Sequence, residues 1–329
     1  MSATASLLRI AAVALALAAP AAALAAATWS PSQPVEIVVG TSAGSGSDNT
    51  ARWIQRWIQE KKLVEVAVNV VNKPGGGGTI AATYVNQHPG NGHYLLVSSP
   101  SLLTNSIAGR SAIKYSDMTP LAQVGAESVV FTVRTESPLK SALDLAQRLK
   151  ADPASLSFSI GIAVGSHNHI AVAEVAKSQG ADIRKLKVVA FSGSADGITA
   201  LLGGHIDVSA SPASAVLAHV RAGKLRTLAV SSEQRLSGDL ASVPTWTELG
   251  IRAISANWRS VLGPKGMSEQ QVAYWDDVLS RLVRLPEWQR DLEARLVEAT
   301  YLNSRDVRRR MEAENVLLTS VLTELGLAK

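Results

Sequence analysis

The sequence predicts an α/β protein made of two α/β units, with a cleft between them and a helical C-terminal section. Three observations predict it. Short runs rich in Val, Ile and Leu alternate with segments of helical periodicity. That alternation starts twice, near Val35 and again near Val129. Several runs pass directly into loops of glycine, serine and threonine. Strands separated by helices build a largely parallel sheet with crossover helices. Ligands of such sheets lie outside the carboxyl ends of the strands.

The elements follow in order. Val35 to Val39 is a strand, and the loop Thr41 to Asn49 (TSAGSGSDN) leads into a helix whose buried face carries Ala51, Ile54 and Ile58. Val66 to Val71 is a second strand, broken by Asn72-Lys73-Pro74 and the glycines Gly75 to Gly78. Thr79 to Asn86 is a short helix, and Tyr94 to Ser98 a strand ending in the polar loop Ser99-Pro100-Ser101. The second unit reads as strands at Val129–Val133, Leu156–Ile160, Lys187–Ala190, Ile206–Ala210 and Leu225–Val230. Its helices are Ser141–Lys150, His167–Gln179, Ala195–Leu202 and Ala213–Ala222. An extended return, Ile254–Leu262, precedes helices at Ser268–Val283, Glu287–Val297 and Ser304–Leu325. No fixed-period repeat interrupts this pattern.

Composition narrows the function. A length of 329 residues suits about two domains. There are no cysteines, which excludes a disulfide scaffold, an iron–sulfur cluster, a thiolate zinc site and a cysteine nucleophile. The net charge of +5 is scattered, without a basic run interleaved with aromatics, so no nucleic-acid surface is expected. Residues 1–27 have the layout of a cleaved secretory signal. Arg9 precedes an apolar run from Ile10 to Ala19, and small-residue sites follow at Ala23-Leu24-Ala25 and Ala25-Ala26-Ala27. The apolar run is too short to span a hydrocarbon layer of ~30 Å. The expected product is an exported, soluble protein outside the cytoplasm.

Five loops share a composition of small residues and hydroxyls ahead of a helix: Thr41 to Asp48, Gly75 to Thr79, Ser98 to Ser101, Gly165 to Asn168 and Ser192 to Ser194. Glycine lets a ligand approach the backbone, and helix N-termini aim unpaired N–H groups at it. Several such ends converging would hold a carboxylate or phosphate without an arginine. Gly193 is expected to need a positive φ. Enzyme motifs fare poorly. Gly44-Ser45-Gly46 lacks the third glycine and the acidic partner of a dinucleotide fingerprint, and no phosphate-binding P-loop or nucleophile elbow exists. His167 and His169 are two apart on a helix start and diverge by ~200°, which suits capping and packing better than a shared metal. Among the candidate loops, only Asp48 and His169 titrate. Trp258-Arg259 lies in the extended return, where Arg259 fits either an ion pair or a carboxylate clamp. Trp53 and Trp57 are expected to pack, half-buried, on the first helix.

The stretches PVEIVVGTSAGSGSDNTAR, VNKPGGGGTIAATYVN, VAFSGSADGITALLGGHIDV, RAGKLRTLAVSSEQRL, VPTWTELGI and ANWRSVLGPKGMSEQQ, in that order, resemble the periplasmic solute-binding proteins of tripartite tricarboxylate transporters, the Bug or TctC family. The resemblance runs from about Pro34 to Gly266, and the NWR run leans toward the tricarboxylate-type branch. It implies a type II periplasmic-binding fold with lobe 1 at residues 28–127 plus 253–329 and lobe 2 at 128–252. It also implies a small di-, tri- or aromatic carboxylate held in the cleft by a monomer without a cofactor and delivered to a membrane permease. Ligand-contacting positions carried over are Ser42, Ala43, Gly44, Gly46, Ser47 and Asp48, then Ser98 and Ser99. Lobe 2 gives Ser166, Asn168 and His169, then Ser192, Gly193 and Ser194, and finally Pro212 and Ala213, with Arg259 nearby. The chain departs from the family at Ser42-Ala43-Gly44-Ser45, where Pro-Pro-Gly-Gly is common, and at Ile162 and Val164, where small residues are common. A hydrolase or lyase using the same cleft, and a ligand-sensing role in which the closed form docks on a sensor protein, are the competing readings.

Overall fold

The structure is a computed structural model that describes residues 29–329 except positions 162 and 192. The signal segment 1–27 and the loop residues Ile162 and Ser192 lie outside the described residues.

β1 (Val35–Val39) is flanked by β2 (Val68–Asn72) and β3 (Tyr94–Ser98), all parallel. Val35, Ile37, Val38 and Val39 are all buried, as a parallel strand covered on both faces requires. α1 (Gly46–Glu60) follows β1. Ser45 caps it, accepting from Asp48 N at 3.3 Å, and its buried face is Ala51, Ile54 and Ile58. α2 (Thr79–Asn86) matches its sequence bounds. The expected loop after β3 instead turns at once into α3 (Ser101–Ile107), with Pro100 as its cap.

β4 (Thr119–Arg134) is a single strand of 16 residues, of which only Val129 to Val133 is legible by pattern. It carries the chain out of the first lobe, and β9 (Ala256–Gly263) brings it back, so the two run antiparallel. β9 also pairs antiparallel with β3. From Val129 onward β4 changes partners to β7 (Val208–Pro212) and β8 (Leu225–Val230), again antiparallel. β7 then pairs in parallel with β5 (Ser157–Ile160), and β5 with β6 (Lys187–Ala190). The expectation of a largely parallel sheet is therefore corrected. The order β2-β1-β3-β9-β4-β7-β5-β6 is mixed, because the strands that join the lobes must run in opposite directions.

The second lobe's helices are α4 (Ala142–Ala151), α5 (His167–Ser178), α6 (Ser194–Leu202) and α7 (Ala213–Arg221). α4 opens with a reciprocal cap between Ser141 and Asp144. α8 (Glu269–Val283) and α9 (Pro286–Glu293) return to the first lobe's side. α9 ends before the expected Val297. Leu296 takes a positive φ of 55°, and β10 (Val297–Glu298) and β11 (Leu302–Asn303) add to β4. α10 (Ser304–Glu324) closes the chain, capped by Asn303. The aliphatic core holds a few large aromatics: Phe131 meets Trp246 edge-on at 5.1 Å, and the buried Trp258 indole donates to Glu314 at 2.7 Å. No helix among the described residues is long and apolar enough to cross a membrane.

Candidate ligand cleft

Four strands of the two lobes, β1, β5, β6 and β7, each feed a helix whose first residues reach one cavity of about 630 Å³. α1 contributes Gly46 and Ser47, α5 contributes His167 and Asn168, α6 contributes Ser194, and the start of α7 contributes Pro212 and Ser214. Each helix start carries N–H groups without an intrahelical acceptor and the positive end of the helix dipole. Four such ends around one space favour an anion.

The first-lobe loop is held by Asp48. Its buried carboxylate accepts from Gly44 N at 2.8 Å, Arg52 Nε at 2.9 Å and Asn72 Nδ2 at 2.8 Å. Burial alone would push this carboxyl up. The bonds from Arg52, Gly44 and Asn72, with the Arg52 charge, outweigh that and hold it below its usual value. Gly44 takes φ +80°, which the turn requires. Gly46 is needed for space: a Cβ there would sit 2.9 Å from Arg259 Nη2.

The second-lobe loop is held by His169. Its Nδ1 accepts from Gly165 N at 2.9 Å, and burial lowers its pKa to about 4, so the ring is neutral with its proton on Nε2. His167 is buried deeper. Desolvation, with the Arg259 charge adding, takes its pKa to about 3, and Ser255 Oγ lies 3.2 Å from its ring nitrogens. Ser166 Oγ donates to Gly161 O at 3.1 Å. Gly193 is extended, at φ −172°, and a Cβ there would meet nothing within 4 Å among the described residues. The expected need for positive φ is thus corrected, since that backbone admits any residue and the position faces open space.

At the junction of the lobes, Glu127 on β4 stands opposite Asn257 on β9, and Gly125 opposite Arg259. That register makes Glu127 and Arg259 diagonal neighbours on one face. Arg259 Nη2 and Glu127 Oε2 form a buried ion pair. Ser214 Oγ donates to the other Glu127 oxygen at 2.6 Å, and Arg259 Nη1 donates to Asn257 Oδ1 at 2.7 Å. Arg259 Nε is buried without a partner among the described residues.

Of the positions named from the sequence, Ser42, Ala43, Gly44, Gly46, Ser47, Ser99, Ser166, Asn168, Gly193, Ser194, Pro212 and Arg259 line the cavity. Four do not. Asp48 and His169 stand behind the loops they hold, Ala213 is fully buried, and Ser98 lines an adjoining space of about 30 Å³ that shares Thr41, Ser47, Ser99 and Ser101 with the cavity. Ser192 lies outside the described residues. The titratable groups that reach the cavity are therefore Glu127, His167, Asp196, Arg259 and Arg295, and not Asp48 and His169. Trp53 also lines it, rather than only packing. Glu127 sits mid-strand and Arg295 follows α9, so no loop signature marks either one.

The family profile described as "Tripartite tricarboxylate transporter family receptor" matches residues 51–327. Protein BugT of Bordetella pertussis is 31% identical over 241 residues, covering 72% of each chain. The UPF0065 protein in the gbd 5' region of Cupriavidus necator is 29% identical over 303 residues, covering 91% of this chain and 89% of the other. A TctC solute-binding protein from Polaromonas shares the fold at TM-score 0.72 and 27% identity, over 90% of this chain and 99% of its own. An R. palustris protein solved with adipate superposes at TM-score 0.81 and 24% identity, over 91% and 99%. The two-lobe α/β architecture is thus that of the periplasmic-binding proteins, and the chain belongs to the TctC family of tripartite tricarboxylate transporter solute receptors.

Proposed function

We propose that the chain is exported, captures a small carboxylate in its interlobe cleft, closes around it, and presents it to a tripartite tricarboxylate-type membrane permease. The observation that carries this reading is the meeting of four helix N-termini at one cavity, with the Ser47 and Ser194 hydroxyls beside them. Proteins of similar fold have been solved with adipate and with malate, which supports a carboxylate as the ligand class. In this reading the inner carboxylate is held by N–H and hydroxyl donors, because Arg259 is already neutralised by Glu127. The moving bodies are residues 28–127 with 253–329, and 128–252. The hinge lies where β4 changes partners after Ser128 and where β9 returns. A hydrolase would need an activated nucleophile or a competent base. His167, with a pKa near 3, is too weak a base to serve near neutral pH.

The test is calorimetry and small-angle scattering of the mature protein with malate, adipate, citrate and benzoate. At least one should bind without being consumed and should shrink the radius of gyration. Gly193→Val, which adds bulk only to open space at the cavity wall, should fold normally and lose binding by more than tenfold. Turnover of the acid, or wild-type affinity in Gly193→Val, would sink this reading.

A further inference from the structure

The two ends of the cavity hold their arginines differently. At the inner end, Arg259 is buried and paired with Glu127. Asp196, also on the wall, lies in the first turn of α6. The outer end is formed by Trp53 of α1 and by Arg295, just beyond α9. Arg295 keeps 37% of its side chain exposed, against 5% for Arg259.

Arg295 is held in place with one edge of its guanidinium unused. Its guanidinium lies over the Trp53 ring, 4.6 Å from the centroid. Its Nη1 donates to Asp291 O at 3.0 Å and to Asp291 Oδ1 at 3.1 Å. That same carboxylate also pairs with Arg56 and accepts from Trp57 Nε1 at 2.8 Å. One carboxylate therefore faces two guanidiniums. Glu60, the other acid near Arg56, stands 4.0 Å away and is half-exposed, so water screens it. Counted with Glu60, two acids face two guanidiniums, so what Arg295 offers a ligand is the unused edge of its guanidinium rather than a surplus charge. The Nε and Nη2 N–H groups of Arg295 have no acceptor among the described residues.

We propose that Arg295, stacked on Trp53, is a specificity-determining residue that binds the distal carboxylate of an extended dicarboxylate. The proximal carboxylate sits at the helix N-termini and the spacer lies along Trp53. The free edge of the guanidinium supplies parallel N–H donors that match a carboxylate. This inference rests on the carboxylate-binding reading above and adds to it the length and double charge of the ligand.

The test compares matched acids that differ by one carboxylate: adipate against hexanoate, and terephthalate against benzoate. Each is titrated calorimetrically into wild type, Arg295→Met and Arg295→Lys. In wild type the dicarboxylate of at least one pair should bind tighter than its partner. Arg295→Met should weaken that dicarboxylate about tenfold and its monocarboxylate less than twofold. Arg295→Lys should recover part of the loss by restoring the charge. The ratio within a pair does not depend on the fraction of folded protein, so a structural effect of losing the α9 contact lowers both members alike. An equal loss for both, or no loss for either, overturns the assignment while leaving carboxylate binding intact. Failure of every acid to bind wild type removes the underlying reading and this inference with it.

Discussion

On the first-lobe side of the cleft, the loop before α1 hangs on an ionised carboxylate, Asp48. On the second-lobe side, the loop before α5 hangs on an imidazole, His169, that burial keeps neutral. Both anchors stand behind the cavity wall and fix the loops that line it. They respond oppositely to solvent. Asp48 gathers three donors, so its charged form is the stable one. His169 accepts from Gly165 N through Nδ1, so a proton on that atom would set two donors against each other. The comparison teaches that acid should release the second-lobe loop first, with the first-lobe loop still held above pH 3.8.

The largest expected effect comes from removing the charged anchor. Asp48→Ala leaves Gly44 N and Arg52 Nε without their acceptor and Asn72 Nδ2 with Thr41 O alone, and should cost about 3 kcal/mol of unfolding free energy. Urea denaturation at pH 7 checks it, and a loss below about 1 kcal/mol would mean the loop is held by something else. Because the folded pKa of Asp48 lies below 3.8, its contribution is present above that pH and lost only as pH falls further.

The neutral anchor should show itself higher on the pH scale. His169 has a folded pKa of about 4 against 6.5 unfolded, so its contribution is full above 6.5 and drains away as pH falls toward 4. At pH 5 that amounts to about 2 kcal/mol. Other buried groups titrate nearby. His167 has the same sign. Glu174 on α5, raised to about 7 by burial despite Arg252 and Lys177, has the opposite one: its contribution is present below 4.5 and lost as pH rises to 7. The comparison of wild type with His169→Gln cancels both. Wild type should lose about 2 kcal/mol more than His169→Gln between pH 7 and pH 5, and equal losses would break the contrast between the two anchors.

What was legible in the sequence follows from the range of the forces involved. β1, α2, β3, β6 and β8 have the bounds that periodicity and capping give, because their signals are local. The first half of β4 hides its strand among Thr119, Pro120, Gln123 and Gly125, whose pairing is fixed by β9, more than a hundred residues later. α3 was masked by Pro100, which reads as a loop but caps the helix. The site divides in the same way. Small-residue loops before helices located most of the cavity wall, since the loop and the helix start are one local feature. Glu127 and Arg295 reach that wall only through the strand register and the position of α9, and nothing adjacent in sequence marks them.

The smallest expected effect separates two serines that look alike in sequence. Ser166 Oγ donates to Gly161 O within its own loop. Ser47 Oγ lines the same cavity from the first turn of α1 and has no hydrogen-bond partner among the described residues. Removing the Ser166 hydroxyl deletes one partly exposed hydrogen bond, so Ser166→Ala should lower stability by about 0.5–1 kcal/mol. Carboxylate affinity should move by less than threefold, because that hydroxyl is engaged with protein. Ser47→Ala should leave stability within about 0.5 kcal/mol of wild type, as for a side chain with no protein contact to lose. Its cost should appear in binding: a hydroxyl donating to a charged acceptor contributes about 1.5 kcal/mol or more, which is roughly tenfold in Kd. Thermal unfolding and calorimetric titration of the two variants place them in opposite corners of a stability-against-affinity plot. If Ser47→Ala loses stability and keeps its affinity, that hydroxyl belongs to the scaffold, and the first-lobe loop offers the ligand backbone N–H groups alone.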